Sequence, residues 1–179
     1  FTNITQDHLD YHKTMDVYIA AKRRFFDCLP SSAFALTNID DRNGIIMVQN
    51  SKAKRYTYGL LRPADFKAKI LTKQLEGMML DFDQVEMWTP LTGVFNAYNL
   101  LAVYGACRLL GFEQQDLLTA LSKQQPVRGR FERFQSKNGV FVIVDYAHTP
   151  DAVTNVLKTI DDIRTGDEKV ITVIGAGGD

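Results

Sequence analysis

Residues 126–150 contain charged side chains of the types that bind phosphate and sugar groups. Arg128 and Arg130 flank Gly129, and a guanidinium beside a flexible glycine suits phosphate or carboxylate binding. Arginines are also common on protein surfaces, so the pattern alone leaves a solvated loop as the alternative. The residue types and their spacing indicate an anion-binding loop.

An acidic residue, Asp145, follows the apolar run 140–144. An acid that closes a parallel strand is well placed to bind a ribose hydroxyl, because ligands bind beyond the carboxyl ends of such strands. We therefore expect Asp145 and Arg130 to belong to one site. The alternative is an N-cap of the following helix, a role for which Pro150 and Asp151 are better suited.

The stretch 7–12, D-H-L-D-Y-H, places carboxylates and imidazoles close together. Both groups are common metal ligands, and His8 and His12 have the i, i+4 spacing of a zinc pair. No HExxH pattern or cysteine ligand accompanies them. A solvated loop with a capping aspartate is therefore the alternative to a metal site.

Lys22 follows two alanines and precedes two arginines, in the sequence A-A-K-R-R. Consecutive cations on a helix are typical of a solvated face. The small alanines would also let another backbone approach closely, in which case Lys22 could point inward. The pattern by itself is a weak indication of function.

Asn96 and Asn99 are three residues apart in the first turn of a predicted apolar helix, so they share a face. An amide offers both a donor and an acceptor, which suits recognition of a flat heterocycle. The alternative, which the pattern alone favours, is a polar pair that caps or stabilises the start of the helix.

Hydrophobic periodicity and turn signals predict the elements that must position these residues. Helices are predicted over 15–29, 95–110, 114–123 and 151–163. Strands are predicted over 33–36, 55–58, 66–71, 75–82, 85–88, 131–135, 140–144 and 170–174. A short helix before Lys52 is expected to be capped by Asp40 or Asp41.

Three finer expectations follow from the same patterns. Gly77 is expected to form a β-bulge within its strand. The helix 95–110, which Gly111 ends, is expected to be buried on nearly all faces because it is apolar all round. The segment 140–174 is expected to be a parallel β-α-β unit.

The composition is ordinary for a globular protein, with 45% hydrophobic and 23% charged residues among 179. The 21 basic residues balance the 21 acidic ones, which favours neither a nucleic-acid partner nor a membrane surface. Cys28 and Cys107 have no partner spacing and are interpreted as small core residues in a reducing compartment. No apolar run of about 18 residues and no signal peptide is present, so a cytoplasmic protein without a membrane span is expected.

Both ends of the chain suggest a fragment of a longer protein. Residues 1–4 have the pattern of the last residues of a strand, and 170–179 that of a strand running into a glycine-rich loop. In an α/β sheet such a loop is followed by a helix.

Six segments occur in the order in which they are found in the Mur ligase family. They are T-N-I-T-Q-D-H-L-D-Y-H (2–12), Y-I-A-A-K (18–22), T-N-I-D-D (37–41), G-V-F-N-A-Y-N (93–99), G-R-F-E (129–132) and V-D-Y-A-H-T-P-D-A (144–152). The chain therefore resembles this family over nearly its whole length. The combination of the first and last segments is most similar to the members that add the third amino acid of the peptide to a UDP-linked muramoyl dipeptide. Folylpolyglutamate and cyanophycin synthetases share the architecture with weaker matches.

The resemblance implies an α/β fold in two parts. Residues 1–125 would be the later part of the family's central ATP-binding domain, a mixed sheet with helices plus a small antiparallel sheet. Residues 126–179 would begin the Rossmann-like C-terminal domain. The family's glycine-rich ATP loop would lie before this chain, and the residues that select the added amino acid after it. These 179 residues alone are therefore expected to be inactive.

The resemblance also implies roles for the residues singled out above. His8 would be a magnesium ligand, and Lys22 would be carbamylated, so that its new carboxylate helps to bind a second magnesium ion. Asn96 and Asn99 would contact adenine.

For the second part of the chain, the resemblance implies that Arg130 reaches the phosphates of ATP from a hinge between the domains. Asp145 would bind the ribose. His148 would lie near the nucleotide without a defined role.

The implied activity is that of a ligase forming a carbon–nitrogen bond in peptidoglycan precursor synthesis. ATP would phosphorylate the D-glutamate carboxylate of UDP-N-acetylmuramoyl-L-alanyl-D-glutamate, and the amine of meso-diaminopimelate or L-lysine would displace the phosphate. Its cofactors would be ATP and Mg²⁺, its partners these substrates, and it would act as a monomer. The alternatives are another ligase of this architecture, resembling folylpolyglutamate or cyanophycin synthetase, and a nucleotide-binding module without catalysis.

Overall fold

The computed structural model describes residues 1–5, 12–166 and 168–175. The strands are β1 (Phe34–Asn38), β2 (Lys54–Gly59), β3 (Phe66–Gln74), β4 (Gly77–Phe82), β5 (Val85–Thr89), β6 (Glu132–Gln135) and β7 (Phe141–Val144). The helices are α1 (Met15–Asp27), α2 (Gly44–Val48), α3 (Val94–Leu109), α4 (Gln114–Ser122) and α5 (Pro150–Ile163). Each element predicted between residues 15 and 163 is present, with its ends within three residues of the prediction. No helix in the described residues is long and apolar enough to span a membrane.

Strands β1 to β5 form one mixed sheet in sequence order. β1, β2 and β3 run parallel, whereas β3, β4 and β5 are antiparallel neighbours. The register shifts between Ile70 and Thr72, so the bulge predicted at Gly77 is wrong. Gly77 instead begins β4, where a Cβ would lie 2.1 Å from the carbonyl oxygen of Thr89. A glycine is needed there because the two backbones approach so closely.

The main hydrophobic core lies between this sheet and helices α3 and α4. Its fully buried apolar side chains are Met78, Leu80, Phe82, Ala97 and Leu101. The apolar sequence of α3 predicted that the helix would be buried on nearly all faces. This prediction is wrong, because Val103 on its outer face is 50% exposed. The helix ends at Gly111 as predicted: φ there is 91°, and the N–H of Phe112 bonds back to the carbonyl of Cys107.

Strand β1 is covered on both faces. Because successive side chains of a strand point to opposite faces, Leu36 packs against the main core while Ala35 joins a second cluster under α1 and α2. The assignment of both cysteines to the core is wrong for Cys28, which is exposed just after the end of α1. Cys107 is partly buried against the main core.

The second sheet contains only β6 and β7 in the described part of the chain. They pair antiparallel, from Glu132 opposite Val144 to Gln135 opposite Phe141. The prediction of a buried parallel strand is therefore wrong for β7, most of whose side chains are exposed. Residues 168–175 form no strand, so the strand predicted over 170–174 is absent. Of the predicted β-α-β unit, the described part of the chain contains only the first strand, β7, and the helix, α5.

Side-chain contacts attach this second part to the first. The Arg133 guanidinium on β6 donates to the carbonyl oxygens of Glu76 (3.2 Å) and Pro90 (2.9 Å). Lys73 on β3 forms an ion pair with Asp162 on α5. These contacts hold β6 and α5 against the first part of the chain.

Candidate functional site

The Arg130 loop, residues 127–131, is fixed by hydrogen bonds to its backbone. The N–H of Arg130 donates to the carbonyl of Val127 (2.9 Å), which closes a turn with Gly129 at its third position. Gly129 has φ 67°, as a type II turn requires. The Gly129 N–H donates to the Glu132 carboxylate (2.8 Å), and the Phe131 N–H donates to Asp145 (2.7 Å). Three consecutive N–H groups are thus satisfied, and the loop has a defined shape.

Phe131 connects this loop to helix α3. Its backbone lies in the left-handed region, with φ 49°, which is unfavourable by about 1–2 kcal/mol for a residue with a Cβ. The side chain is only 2% exposed, and its ring lies 6.1 Å from that of Phe95 in the first turn of α3. Burial of the ring and the hydrogen bond to Asp145 offset the backbone strain. A strained residue therefore places Arg130 next to the start of α3.

Asp145 joins both sides of the loop. One carboxylate oxygen accepts from the Phe131 N–H and the other from the Ala147 N–H, each at 2.7 Å. Asp145 does not cap helix α5, because the Thr149 hydroxyl does so by accepting from the Ala152 N–H. Each carboxylate oxygen has a further lone pair, so a sugar hydroxyl could still donate to Asp145.

An open cleft of about 250 Å³ lies in front of this loop. It is lined by Arg128, Gly129, Arg130, Val144, Asp145 and Tyr146. The structure therefore brings together the two residues that the sequence predicted to share a site, Arg130 and Asp145. A cation, an acid and an aromatic face around an open cleft suit a ligand with an anionic group and hydroxyls.

Sequence reasoning gave Tyr146 no role, although it lines the cleft. The Arg130 guanidinium lies over its ring, 4.6 Å from the centroid. The His148 ring contacts the Tyr146 ring edge to face at 5.0 Å, and its Nδ1 is 3.0 Å from the Tyr146 carbonyl oxygen. His148 thus reaches the cleft only through Tyr146. The aromatic residue next to a predicted ligand-binding acid was the signal available in the sequence.

The two asparagines lie near the start of α3: Asn96 directly follows Phe95, which contacts Phe131, and Asn99 lies one turn further along the helix. The Asn96 side-chain amide donates to the Thr92 carbonyl (2.8 Å), so it stabilises the helix start as the structural alternative expected. Asn99 is exposed. Neither lines the cleft, and their contact with adenine stays a prediction.

The predicted metal ligands lie apart from this cleft. His8 is outside the described residues, and Lys22 is exposed on α1 with its Nζ 5.5 Å from the centre of the Tyr18 ring. The His12 ring stacks on Tyr18 at 5.0 Å. Within the described ranges, no group of three His, Cys, Asp or Glu side chains could hold a metal ion. A magnesium site formed by His8 and Lys22 therefore stays a prediction.

Asp40 has a larger structural role than the helix cap that the sequence suggested. Its carboxylate accepts hydrogen bonds from the N–H groups of Leu60, Leu61 and Arg62 and from the Tyr98 hydroxyl. Burial raises the pKa of Asp40, but these four hydrogen bonds together hold it below its usual value. Burial, followed by the bond to Asp40, raises the pKa of Tyr98.

The neighbouring Asp41 binds at the start of α2. Its carboxylate accepts from the N–H groups of Asn43 (2.7 Å) and Ile4 (3.3 Å). The residue at the N-cap itself is Asn43, whose side chain makes no capping bond. The prediction that Asp40 or Asp41 is the N-cap is therefore wrong, although Asp41 does bind the turn that precedes the helix.

Comparison with known proteins identifies the family. The model of the Mur ligase middle domain matches residues 1–107, and that of the Mur ligase, glutamate ligase domain, matches residues 129–179. The chain belongs to the Mur ligase family, and the resemblance inferred from six sequence segments is confirmed.

Two relatives carry the same name, UDP-N-acetylmuramoyl-L-alanyl-D-glutamate–2,6-diaminopimelate ligase. The protein from Phocaeicola vulgatus is 56% identical and that from Bacteroides thetaiotaomicron 54%, each over 99% of this chain. The chain spans 37% of the length of these curated relatives. A solved structure with that same name is 32% identical, with a TM-score of 0.73 over 92% of this chain and 35% of the other. The α/β fold class predicted from the sequence is confirmed.

Proposed function

We propose that this chain is part of an ATP-dependent ligase that adds 2,6-diaminopimelate to UDP-N-acetylmuramoyl-L-alanyl-D-glutamate. The observation that carries the proposal is the cleft in which Arg130 faces open space beside Asp145, in a chain more than half identical to ligases of that name. The names of these relatives favour diaminopimelate over L-lysine, a choice that the sequence motifs left open.

The reaction has two steps. The D-glutamate carboxylate attacks the γ-phosphorus of ATP, which releases ADP and leaves an acyl phosphate. The amine of diaminopimelate then attacks the acyl carbon, loses a proton and displaces inorganic phosphate, which forms the amide. The first step brings a carboxylate to the triphosphate, and in the second step negative charge develops on the acyl oxygen and the leaving phosphate, so both require cationic groups that are already in position.

Within this proposal, Arg130 neutralises charge on the ATP phosphates through its N–H donors. Asp145 accepts from a ribose hydroxyl, and its bonds to the N–H groups of Phe131 and Ala147 keep the cleft in shape. Asn96 and Asn99 bind adenine at the start of α3, and His148 lies near the nucleotide.

We propose magnesium as the metal, held by His8 and by Lys22 in its carbamylated form. Lys22 is exposed, and no carboxylate pairs with it in the described residues, so carbon dioxide and a metal ion can reach its side chain. Carbamylation would convert a cation into an oxygen anion, which is the ligand type that magnesium prefers. When bound, the ion would help to neutralise the phosphates.

The domain division completes the proposal. Residues 1–125 belong to the ATP-binding domain and 126–179 to the C-terminal domain, so the Arg130 loop is the hinge between them. A hinge at this position would couple domain closure to binding of the phosphates. The full-length enzyme is proposed to act as a monomer in the cytoplasm.

The test is turnover by the full-length protein that contains these residues. Release of ADP should require both the UDP-linked dipeptide and diaminopimelate, and should not occur with folate or cyanophycin acceptors. Arg130→Ala should lower kcat roughly 10²–10³-fold and weaken ATP binding, since it removes a donor to the reacting phosphates. Lys137→Ala, in the exposed β6–β7 turn, is the matched control. Unchanged turnover and ATP affinity in Arg130→Ala would overturn its assigned role.

The lysine assignment has its own test. Lys22→Ala should abolish turnover of the full-length protein, and a short carboxylic acid should restore part of it by replacing the carbamate. Arg24→Ala, at another exposed position of α1, should retain activity. Full activity in Lys22→Ala would contradict the assignment without affecting the role of Arg130.

A further inference from the structure

The Arg130 guanidinium lies over the face of the Tyr146 ring. The distance from Arg130 Cζ to the ring centroid is 4.6 Å. The backbone sets this pairing, because Asp145 bonds to the N–H of Phe131 on one side and to that of Ala147 on the other. The residue after Arg130 is thereby tied to the two residues that flank Tyr146. These backbone hydrogen bonds therefore bring Arg130 and Tyr146 next to each other.

Arg130 is held without being neutralised. Within the described residues it forms no ion pair, and both oxygens of the nearby Asp145 already accept backbone N–H groups. A carboxylate partner would occupy the N–H donors at the edge of the guanidinium. An aromatic ring contacts only the flat face and leaves those edge donors available to an anion in the cleft that Arg130 lines. This arrangement suits an arginine that must bind an anion.

His148 supports the ring from another side. Its own ring meets that of Tyr146 at an interplanar angle of 72°, with 5.0 Å between centroids. Its Nδ1 also lies 3.0 Å from the carbonyl oxygen of Tyr146. The Tyr146 side chain is 63% exposed, so these contacts restrict a ring that would otherwise be free to rotate.

We propose that Tyr146 is a positioning residue that holds Arg130 in the orientation required to bind the nucleotide phosphates. The inference rests on the proposed function, because it assumes that the anion bound by Arg130 is a phosphate of ATP. In this proposal the aromatic face of Tyr146 positions the guanidinium, and its hydroxyl does not contribute. Phenylalanine should therefore replace it and leucine should not.

The experiment compares Tyr146→Phe and Tyr146→Leu in the full-length protein, alone and combined with Arg130→Ala. Tyr146→Leu should lower kcat/KM for ATP about two- to five-fold, the effect of one exposed cation–π contact. Tyr146→Phe should stay within about twofold of the wild type, because the ring is retained. Tyr56→Leu is the matched control, since the Tyr56 ring holds Lys54 at 5.1 Å on β2, away from the cleft.

The double variant decides the assignment. In the Arg130→Ala background, Tyr146→Leu should have no further effect, because the group that it positions is gone. Independent losses that multiply in the double variant would overturn the proposal, as would a Tyr146→Phe variant as impaired as Tyr146→Leu. Unchanged kcat/KM in Tyr146→Leu would overturn it as well.

A calorimetric titration with ATP separates this proposal from the proposed ligase reaction. If the wild type binds ATP but shows no turnover with the UDP-linked dipeptide, the ligase assignment fails. The Tyr146 variants, Arg130→Ala and their combinations then still measure the coupling of Tyr146 to Arg130 through ATP affinity. A wild-type protein that does not bind ATP contradicts both.

Discussion

The sheet of β1 to β5 and the hairpin of β6 and β7 each contain a mainly apolar strand, β4 in the first and β7 in the second, yet these two strands differ sharply in burial. In the first, Met78, Leu80 and Phe82 of β4 are fully buried beneath helices. In the second, Phe141 and Val142 of β7 remain nearly half exposed. An apolar strand forms a core only where a second layer covers it. The first region is therefore stabilised by its interior, and the second by its attachments.

The attachments of the two regions also differ in chemistry. Within the first region, the Asp40 carboxylate accepts three backbone N–H groups of the β2–β3 loop. Between the regions, the Arg133 guanidinium donates to two backbone carbonyls. A carboxylate loses its charge when acid protonates it, whereas a guanidinium keeps its charge in acid. The two attachments can therefore be broken separately.

The largest expected effect comes from removing core volume. Leu101→Ala should lower the free energy of unfolding by about 2–5 kcal/mol, because Leu101 is fully buried in the main core. The matched change Leu157→Ala, at a 36% exposed position on α5, should cost about 1 kcal/mol or less. Urea denaturation of the 179-residue chain measures both. Equal losses would mean that the second region has a core of comparable strength.

A smaller effect is expected at Asp40. Asp40→Asn keeps the shape but removes the charge that accepts the Leu60, Leu61 and Arg62 N–H groups, which should cost about 1.5–3 kcal/mol at neutral pH. Because the folded pKa lies below the unfolded value of about 3.9, this contribution is present above that pH. It is lost as the pH falls through the folded pKa.

Thermal unfolding between pH 7 and pH 3 checks this sign. The difference in Tm between the wild type and Asp40→Asn should shrink below about pH 4. Asp116→Asn, an exposed acid in the first turn of α4, should keep a small and nearly constant difference. A gap that widens in acid would show that the Asp40 carboxylate does not stabilise the fold.

The smallest expected effect on global stability is at Arg133. Burial lowers the pKa of its guanidinium, which nevertheless stays charged at neutral pH. Arg133→Ala should cost about 1 kcal/mol, because water can replace part of the two bonds to the Glu76 and Pro90 carbonyls. Hydrogen exchange should nevertheless increase clearly in β6 and β7, and not in β4.

Arg133→Lys distinguishes geometry from charge. A lysine keeps the cation but cannot reproduce the planar fork that reaches two carbonyls, so its exchange pattern should resemble that of Arg133→Ala. Protection of β6 equal to the wild type in Arg133→Lys would mean that charge alone attaches the hairpin.

Much of the secondary structure followed from local patterns. The spacing of apolar residues in 15–29 and the glycine at 111 predicted α1 and the end of α3 correctly. Burial was harder to predict, because it depends on what covers a strand or helix. The same apolar character that correctly predicted α3 as a helix wrongly predicted that Val103 would be buried.

For the candidate site too, the sequence identified residues but not their contacts. Residue type and spacing identified Arg130, Asp145, Asn96 and Lys22 as candidates, and six ordered segments identified the family. They could not reveal that the Asp145 oxygens accept the Phe131 and Ala147 N–H groups, since those partners depend on how the hairpin closes. Nor could they assign a role to Tyr146.

The sequence by itself determined the family, the order of the helices and strands, and the choice of Arg130 and Asp145 as candidates for one site. These properties are local, because they depend on residue type, periodicity and short motifs. Only the tertiary structure decided that Phe131 packs on Phe95, that Arg133 spans two carbonyls and that the Arg130 guanidinium lies on the Tyr146 ring. Each of these contacts joins segments distant in the chain, so its geometry exists only once the sheet and the hairpin have packed together.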